Sequence, residues 1–284
     1  NTTSALYAID RNGDNVEHFP VSFSNKATAP ITVFDYDKNK DYRILVSTQD
    51  KKIHNYSAAG EPVKGWVMVP LENQVKLPMQ HVDIAGKDYL IGLDEIGKVY
   101  VVGRNGESRV NLKEKLPVKS FNNTFYLERG KGLSKTFLVT TDSVGTVFKL
   151  NLADELEKKP LKEFSVFHKM DFKDLNGDKN REYIYIDGNK LFAFNSLKHQ
   201  KFEHEFKNKI LSPAQFFLFP DGYGRIGVTD ANAEEIYLFD EAGNIYRDFP
   251  LKGATQFSIG NINQDNNLNL VCGSGRNIYL YQLK

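Results

Sequence analysis

Ile236-Tyr237-Leu238-Phe239-Asp240-Glu241-Ala242-Gly243-Asn244-Ile245-Tyr246-Arg247-Asp248-Phe249-Pro250 reads as a strand, a tight turn and a second strand. Four β-branched, aromatic or aliphatic residues open it, and Gly243 suits a hairpin turn that needs φ > 0. The opening motif recurs at Leu6, Ile53, Val99, Val147, Leu191, Ile236 and Ile278, at intervals of 47, 46, 48, 44, 45 and 42 residues. The second position is aromatic in every copy except at His54, and Gly13, Gly60, Gly106 and Gly243 each fall seven residues after the first. Phe19, Trp66 and Phe249 follow the turn, twice before proline.

Upstream of each copy after the first lies another strand pattern: Ile44–Val46, Tyr89–Ile91, Phe137–Val139, Tyr183–Ile186, Ile226–Val228 and Leu270–Cys272. A further strand precedes that one, near Ile31–Phe34, Met79–Ile84, Phe125–Leu127, Lys169–Phe172, Phe216–Phe219 and Phe257–Ile259. Four short antiparallel strands in about 40–50 residues form a propeller blade. The expected fold is therefore all-β, one propeller domain over residues 1–284: a partial blade at 5–21, blades at 30–69, 77–114, 119–161, 164–206 and 214–251, and a partial blade at 255–284. The two partial units hold five strands between them, one more than a blade needs. A seven-bladed ring with an incomplete first and last blade accommodates both and makes the chain a C-terminal fragment; a closed six-bladed ring is the alternative. The start at Asn1 rather than Met is expected of a trimmed or excised product.

Composition excludes several functions. Lys plus Arg exceed Asp plus Glu by one charge, and no basic run occurs, so neither a nucleic acid nor an anionic membrane surface finds a complementary field. No apolar run reaches the length of a membrane span, so direct membrane insertion is not expected. Cys272, the one cysteine, sits beside Leu270 and Val271 and reads as a small buried hydrophobe, with no disulfide framework possible.

The runs Leu6-Tyr7-Ala8-Ile9-Asp10-Arg11-Asn12-Gly13, Phe34-Asp35-Tyr36-Asp37, Gly86-Lys87-Asp88-Tyr89, Phe125-Tyr126-Leu127-Glu128 and Phe257-Ser258-Ile259-Gly260 resemble the C-terminal region of large uncharacterised envelope proteins of Bacteroides-like bacteria. The resemblance spans the chain, implies a periplasmic location in the cell envelope, and carries no active-site residues. In architecture the chain also resembles the quinoprotein-like, WD-repeat-like propeller superfamily, which mixes enzymes with scaffolds. With Trp66 as its only tryptophan and no adjacent cysteine pair, the pattern argues against a quinone cofactor.

The sharpest local motif is Asp174-Leu175-Asn176-Gly177-Asp178-Lys179-Asn180-Arg181-Glu182, with an oxygen-bearing side chain at every second position. It is similar to the calcium loops of integrin-type propellers, and that resemblance implies a structural calcium held by Asp174, Asn176, Asp178 and Glu182 and by the Asn180 carbonyl. The competing reading is a turn in which Asp and Asn bond their own backbone. Asp35–Arg43 and Asn261–Asn269 occupy the same place in their repeats and read as decayed copies.

The histidines at 18, 54, 81, 168, 199 and 204 match no zinc spacing, and His199 and His204 read as solvated. His81 and Asp83 alternate on one strand and could form a dyad on a channel-lining face. Asp142–Phe148 is similar to a sialidase Asp-box but lacks its tryptophan, so a hairpin turn suffices. No nucleophile elbow, P-loop or Rossmann fingerprint is present. The reading is a non-enzymatic module of the envelope that binds protein partners or the upstream part of a longer parent chain. The alternative is a carbohydrate-binding or carbohydrate-active propeller with a site at the channel mouth, to be recognised by paired carboxylates or a Tyr/His/Arg group.

Overall fold

The computed structural model describes residues 1–68, 70–265 and 267–283. Val69, the expected end of the first full blade, Asn266 in the third Asp/Asn loop, and Lys284, the expected end of the last blade, lie outside the described residues. The chain divides into two compact units, one of Asn1–Val118, Asn123–Asp142 and Val147–Lys159, the other of Lys119–Asn122, Ser143–Thr146 and Pro160–Lys284.

In the first unit, β1 (Ala5–Leu6) pairs with β2 (Val21–Ser22), and β3 (Thr32–Phe34), β4 (Arg43–Ser47) and β5 (Ile53–Ser57) form a three-stranded sheet. Two four-stranded meanders follow: β6 (Gln80–Ile84), β7 (Lys87–Leu93), β8 (Val99–Val102) and β9 (Ser108–Val110), then β10 (Tyr126–Glu128), β11 (Phe137–Thr141), β12 (Val147–Asn151) and β13 (Leu156–Lys159). The second unit holds β14 (Lys169–Lys173), β15 (Glu182–Asp187), β16 (Lys190–Phe194) and β17 (Gln200–Glu205); then β18 (Gln215–Leu218), β19 (Gly224–Asp230), β20 (Glu235–Phe239) and β21 (Leu251–Lys252); then β22 (Ser258–Gly260), β23 (Asn269–Ser274) and β24 (Asn277–Gln282). Every pairing is antiparallel and sequential, which is the blade topology of a β-propeller. The only helical turn among the described residues is Leu133–Lys135.

Each sheet is buried on both faces at its middle strands, because successive side chains point to opposite sides. Leu90 joins Leu45, Ile53 and Met79 in one core, while Ile91 joins Leu127, Leu138 and Leu150 in the next. In the second unit Tyr237 packs with Ile184, Ile186 and Val228, and Leu238 with Phe257, Leu270 and Cys272. Cys272 is buried as expected, and burial pushes its thiol pKa up. Outer strands need no such continuity; β17 alternates exposed and half-buried residues.

Two elements are shorter than the repeat suggests. The strand expected over Leu6–Asp10 is confined to β1 plus an Ile9–Asn15 bridge, because Asp10 turns its carboxylate onto the N–H groups of Asn12 (2.8 Å) and Asp14 (3.0 Å). Among the described residues the sheet of β3–β5 has no fourth strand, only a Tyr56–Pro62 bridge, since proline brings no N–H to a ladder. Gly13, Gly60, Gly106 and Gly243 all adopt positive φ, between 79° and 91°, as the hairpin reading requires. Asp142–Thr146 forms the turn between β11 and β12.

Candidate functional site

Two loops of the second unit are pinned together side by side. His168 is fully buried and Lys119 is 5% exposed, with Lys119 Nζ 3.0 Å from His168 Nε2 and 3.2 Å from the His168 carbonyl oxygen. His168 Nδ1 lies 2.6 Å from the Ser165 carbonyl oxygen, which can only accept, so Nδ1 carries the proton and Nε2 accepts from the lysine. Asn122 Nδ2 donates to the Phe167 carbonyl at 2.9 Å, and the Ser165 N–H and hydroxyl both donate to Asp187. Beneath them Phe164 stacks on Tyr185, centroids 4.3 Å apart and planes 6° from parallel.

These bonds hold Phe121 and Phe167 outward, 4.8 Å apart and respectively 50% and 48% exposed. Lys209 Nζ lies 5.3 Å from the centre of the Phe167 ring, and Leu211, 62% exposed, follows two residues later. Lys169 donates to the Ile210 carbonyl, and burial, with Lys209 nearby, holds its ammonium pKa below the usual lysine range. The arrangement is a rigid, half-exposed aromatic pair beside a cation.

The first unit carries a different constellation. Arg104, from the turn between β8 and β9, donates Nη1 and Nη2 to Asp37 at 2.8 and 2.7 Å and Nε to Asp88. Asp88 is buried, and its other oxygen is 2.6 Å from His81 Nε2. The Tyr36 ring packs against both, 4.7 Å from the guanidinium and 5.1 Å from the imidazole. The Tyr36 hydroxyl is buried without a hydrogen-bond partner among the described residues, and burial together with Asp88 pushes its pKa up to about 12, which keeps the phenol protonated at neutral pH. The Arg104 hydrogen bond holds the Asp37 carboxyl below its ordinary range.

Several expectations change here. His81 pairs with Asp88 on β7, not with Asp83; Asp83 stands opposite Asp88 in the register, shares its face, and accepts from the Gly86 N–H instead. His204 is half-buried among Phe206, Tyr237 and Phe239, and burial lowers its pKa, so the solvated reading holds for exposed His199 and fails for His204.

In the Asp174 loop, Asp174 accepts from Gly177 N–H (2.8 Å) and Lys179 N–H (2.9 Å), Asp178 from Asn180 N–H (2.7 Å), and buried Glu182 from Leu175 N–H (2.8 Å). Asn176 donates to Asp178, and burial raises the Glu182 pKa. Among the described residues no three His, Cys, Asp or Glu side chains gather in a metal-holding group. The geometry shown is a turn closed on its own backbone, and calcium there is a proposal.

Sequence reading missed both constellations because their members lie far apart in the chain. A usable signal was nonetheless present: residues at the same phase of successive repeats become neighbours. Phe121 and Phe167 are 46 apart, and the Gln80–Phe125, Thr32–Met79 and Gln215–Phe257 hydrogen bonds span 45, 47 and 42 residues.

No protein-family model matches the chain, and no curated protein matches it in sequence. Among solved structures it is similar to BBS1N in complex with ARL6DN. The mercury-soaked crystal shows 14% identity and a TM-score of 0.61 over 99% of this chain and 89% of that one. The lead-soaked crystal of the same complex shows 12% identity and a TM-score of 0.57 over the same shares. BamB from Moraxella catarrhalis shows 14% identity and a TM-score of 0.46 over 96% of this chain and 89% of that one. At this identity the BBS1N likeness shows the β-propeller fold and nothing of function.

Proposed function

We propose that the chain is a non-enzymatic propeller module that binds protein partners through the Phe121–Phe167 face. The pinned aromatic pair carries this reading. Large rings with few rotatable bonds lose little entropy on docking, and aromatic anchors fixed before binding dominate interface energetics. BBS1N, which shares the fold, was crystallised with a protein partner, and that supports the reading. The partners proposed are other proteins or the upstream part of a longer parent chain, in the cell envelope. No helix among the described residues is long and apolar enough to cross a membrane.

The test places a photo-crosslinking amino acid at position 121, and at exposed Lys64 as control, in the cells that make the protein. A discrete protein adduct from position 121 that Phe167→Ser removes, with none from position 64, is the expected result. Identical adducts at both positions, or none at 121, defeat the proposal.

A carbohydrate-binding reading has one observation in its favour: Tyr36, His81 and Arg104 converge, a Tyr/His/Arg group of the kind set out above. Equilibrium binding of neutral and acidic sugars tests it.

A further inference from the structure

Beside the Arg104 cluster, the turn between β6 and β7 and the hairpin between β8 and β9 line an open cavity of about 360 Å³, within the range that holds small ligands. Its charges are unevenly committed. Asp88 has one oxygen on His81 and the other on Arg104, and Asp37 accepts one N–H from each of Arg104 Nη1 and Nη2, so neither carboxylate faces the cavity unengaged. Lys87 and Arg109 also line it, and among the described residues neither forms an ion pair; against them stands Glu107 alone. Three cations (Lys87, Arg104, Arg109) thus stand against three carboxylates (Asp37, Asp88, Glu107), and of the cations Lys87 and Arg109 are the ones left uncommitted.

The exposed Arg109 side chain lies over the backbone of Gly103. A Cβ at residue 103 would fall 2.8 Å from Arg109 Nη2 and 3.3 Å from its Cζ, so the absence of a side chain at Gly103 makes the groove in which the guanidinium lies. Its Cζ also lies 5.4 Å from the centroid of the Tyr89 ring. A guanidinium close to a glycine backbone and an aromatic ring presents a planar donor fork to a carboxylate. Around it, the Ser108 hydroxyl, the Asn105 amide and the Glu107 carboxylate offer the mixed donors and acceptors that pair with ligand hydroxyls.

We propose that this cavity binds a sugar acid: a polyhydroxylated ligand bearing one carboxylate, held by Arg109 and Lys87, with its hydroxyls on Glu107, Ser108 and Asn105. The proposal rests on the carbohydrate reading and narrows it. A carboxylate offers two coplanar oxygens to the Arg109 fork, whereas a phosphate ester brings a charge of about −1.5 to −2 at neutral pH to a site whose fixed charges already balance.

Saturation-transfer NMR with the whole chain at pH 7 tests this with D-glucuronate, D-glucose and glucose 6-phosphate as probes. Glucuronate is expected to bind about tenfold or more tightly than glucose, and tighter than glucose 6-phosphate. Arg109→Gln and Gly103→Ala are each expected to weaken glucuronate about tenfold, and Lys87→Gln by less, with unfolding midpoints tracking wild type for the two exposed cations. Should Gly103→Ala disturb the fold, Arg109→Gln alone decides. Glucose binding as well as glucuronate leaves the carbohydrate reading standing and overturns the acid specificity, as does preference for the phosphate ester. Binding unchanged by Arg109→Gln overturns the site, and binding of none of the three overturns both readings.

Discussion

The loops Asp35–Arg43 and Asp174–Glu182 occupy the same place in their sheets, between the innermost strand and the next, and follow one backbone template. In each, the first Asp accepts from the N–H five residues on, Lys40 at 3.0 Å or Lys179 at 2.9 Å. The fifth side chain accepts from the N–H two further on, Asn39 from Asp41 at 3.0 Å and Asp178 from Asn180 at 2.7 Å. The fourth and sixth residues take positive φ in both: Lys38 and Lys40, Gly177 and Lys179. The loops part at the third and ninth positions. Asn176 stays within its loop, whereas Asp37 leaves for Arg104; Glu182 is buried on Leu175 N–H, whereas Arg43, with nothing to accept with, binds Asp41. Positions one and five thus hold the turn, and the others are available to the neighbourhood. The Asn261 loop agrees: Asp265 accepts from Asn267, and Asn269 replaces Glu182 as acceptor, from Ile262 at 3.1 Å.

The ninth position should separate the loops most. Glu182→Ala leaves a buried N–H without its acceptor and a void around it, and is expected to cost about 2–3 kcal/mol in urea unfolding. Arg43→Ala loses a pair on the rim and is expected to cost under about 1 kcal/mol. Equal costs would mean the two ends play the same role. The fourth position comes next. Gly177 has φ +74°, and a Cβ there would sit 3.1 Å from the Gly222 carbonyl oxygen, so Gly177→Ala is expected to lose about 1–2 kcal/mol. Lys38 already bears the left-handed strain, at φ 55°, so Lys38→Gly is expected to gain up to about 1 kcal/mol. A loss at Lys38→Gly breaks the shared template.

That template marks how far the sequence could be read. The strands were legible because Ile236, Tyr237, Leu238 and Phe239 are all buried, so one short run announces a middle strand. The turns were legible because glycine recurs where φ must be positive. The loop roles were half legible: alternating oxygen-bearing residues signal a closed turn and a cation site equally, since both use the same atoms. The Asp37–Arg104 bridge spans 67 residues, and whether an exposed Asp bonds its own loop or the next sheet depends on packing that no local pattern encodes. The same applies to Lys119, whose burial beside His168 composition alone would not suggest.

Calcium sharpens the comparison further, because only the Asp174 loop keeps acids at the first, fifth and ninth positions. On the calcium proposal for Asp174, Asn176, Asp178, Asn180 and Glu182, calcium at ten times its dissociation constant stabilises the fold by about 1.4 kcal/mol. The unfolding midpoint in calcium against chelator should then rise by a few degrees, and Asp178→Asn should abolish the rise. Asp41→Asn in the sister loop should leave it intact. An unchanged midpoint reduces the Asp174 loop to a turn.

The smallest effect is a difference in sign. Burial raises the Glu182 pKa above the ordinary glutamate value of 4.5, so between the two values the folded chain binds more protons than the unfolded one. Stability from this group is therefore full below 4.5 and lost as pH rises through the raised value. Asp37 and Asp41 run the other way: hydrogen bonds from Arg104 and Arg43 depress their pKa values below the ordinary 3.8, so their contribution is present above 3.8 and lost as pH falls through the depressed values. Measured by urea unfolding from pH 3 to pH 7, wild type should lose ground to Glu182→Gln as pH rises above 4.5, and should lose its advantage over Asp37→Asn as pH falls below 3.8. Burial lowers the pKa values of His54 and His204 alike in all three proteins, so their titration cancels from the differences. Parallel curves for Glu182→Gln and wild type would show that its carboxylate is solvated in the fold, and the two loops would then differ in partners without differing in burial.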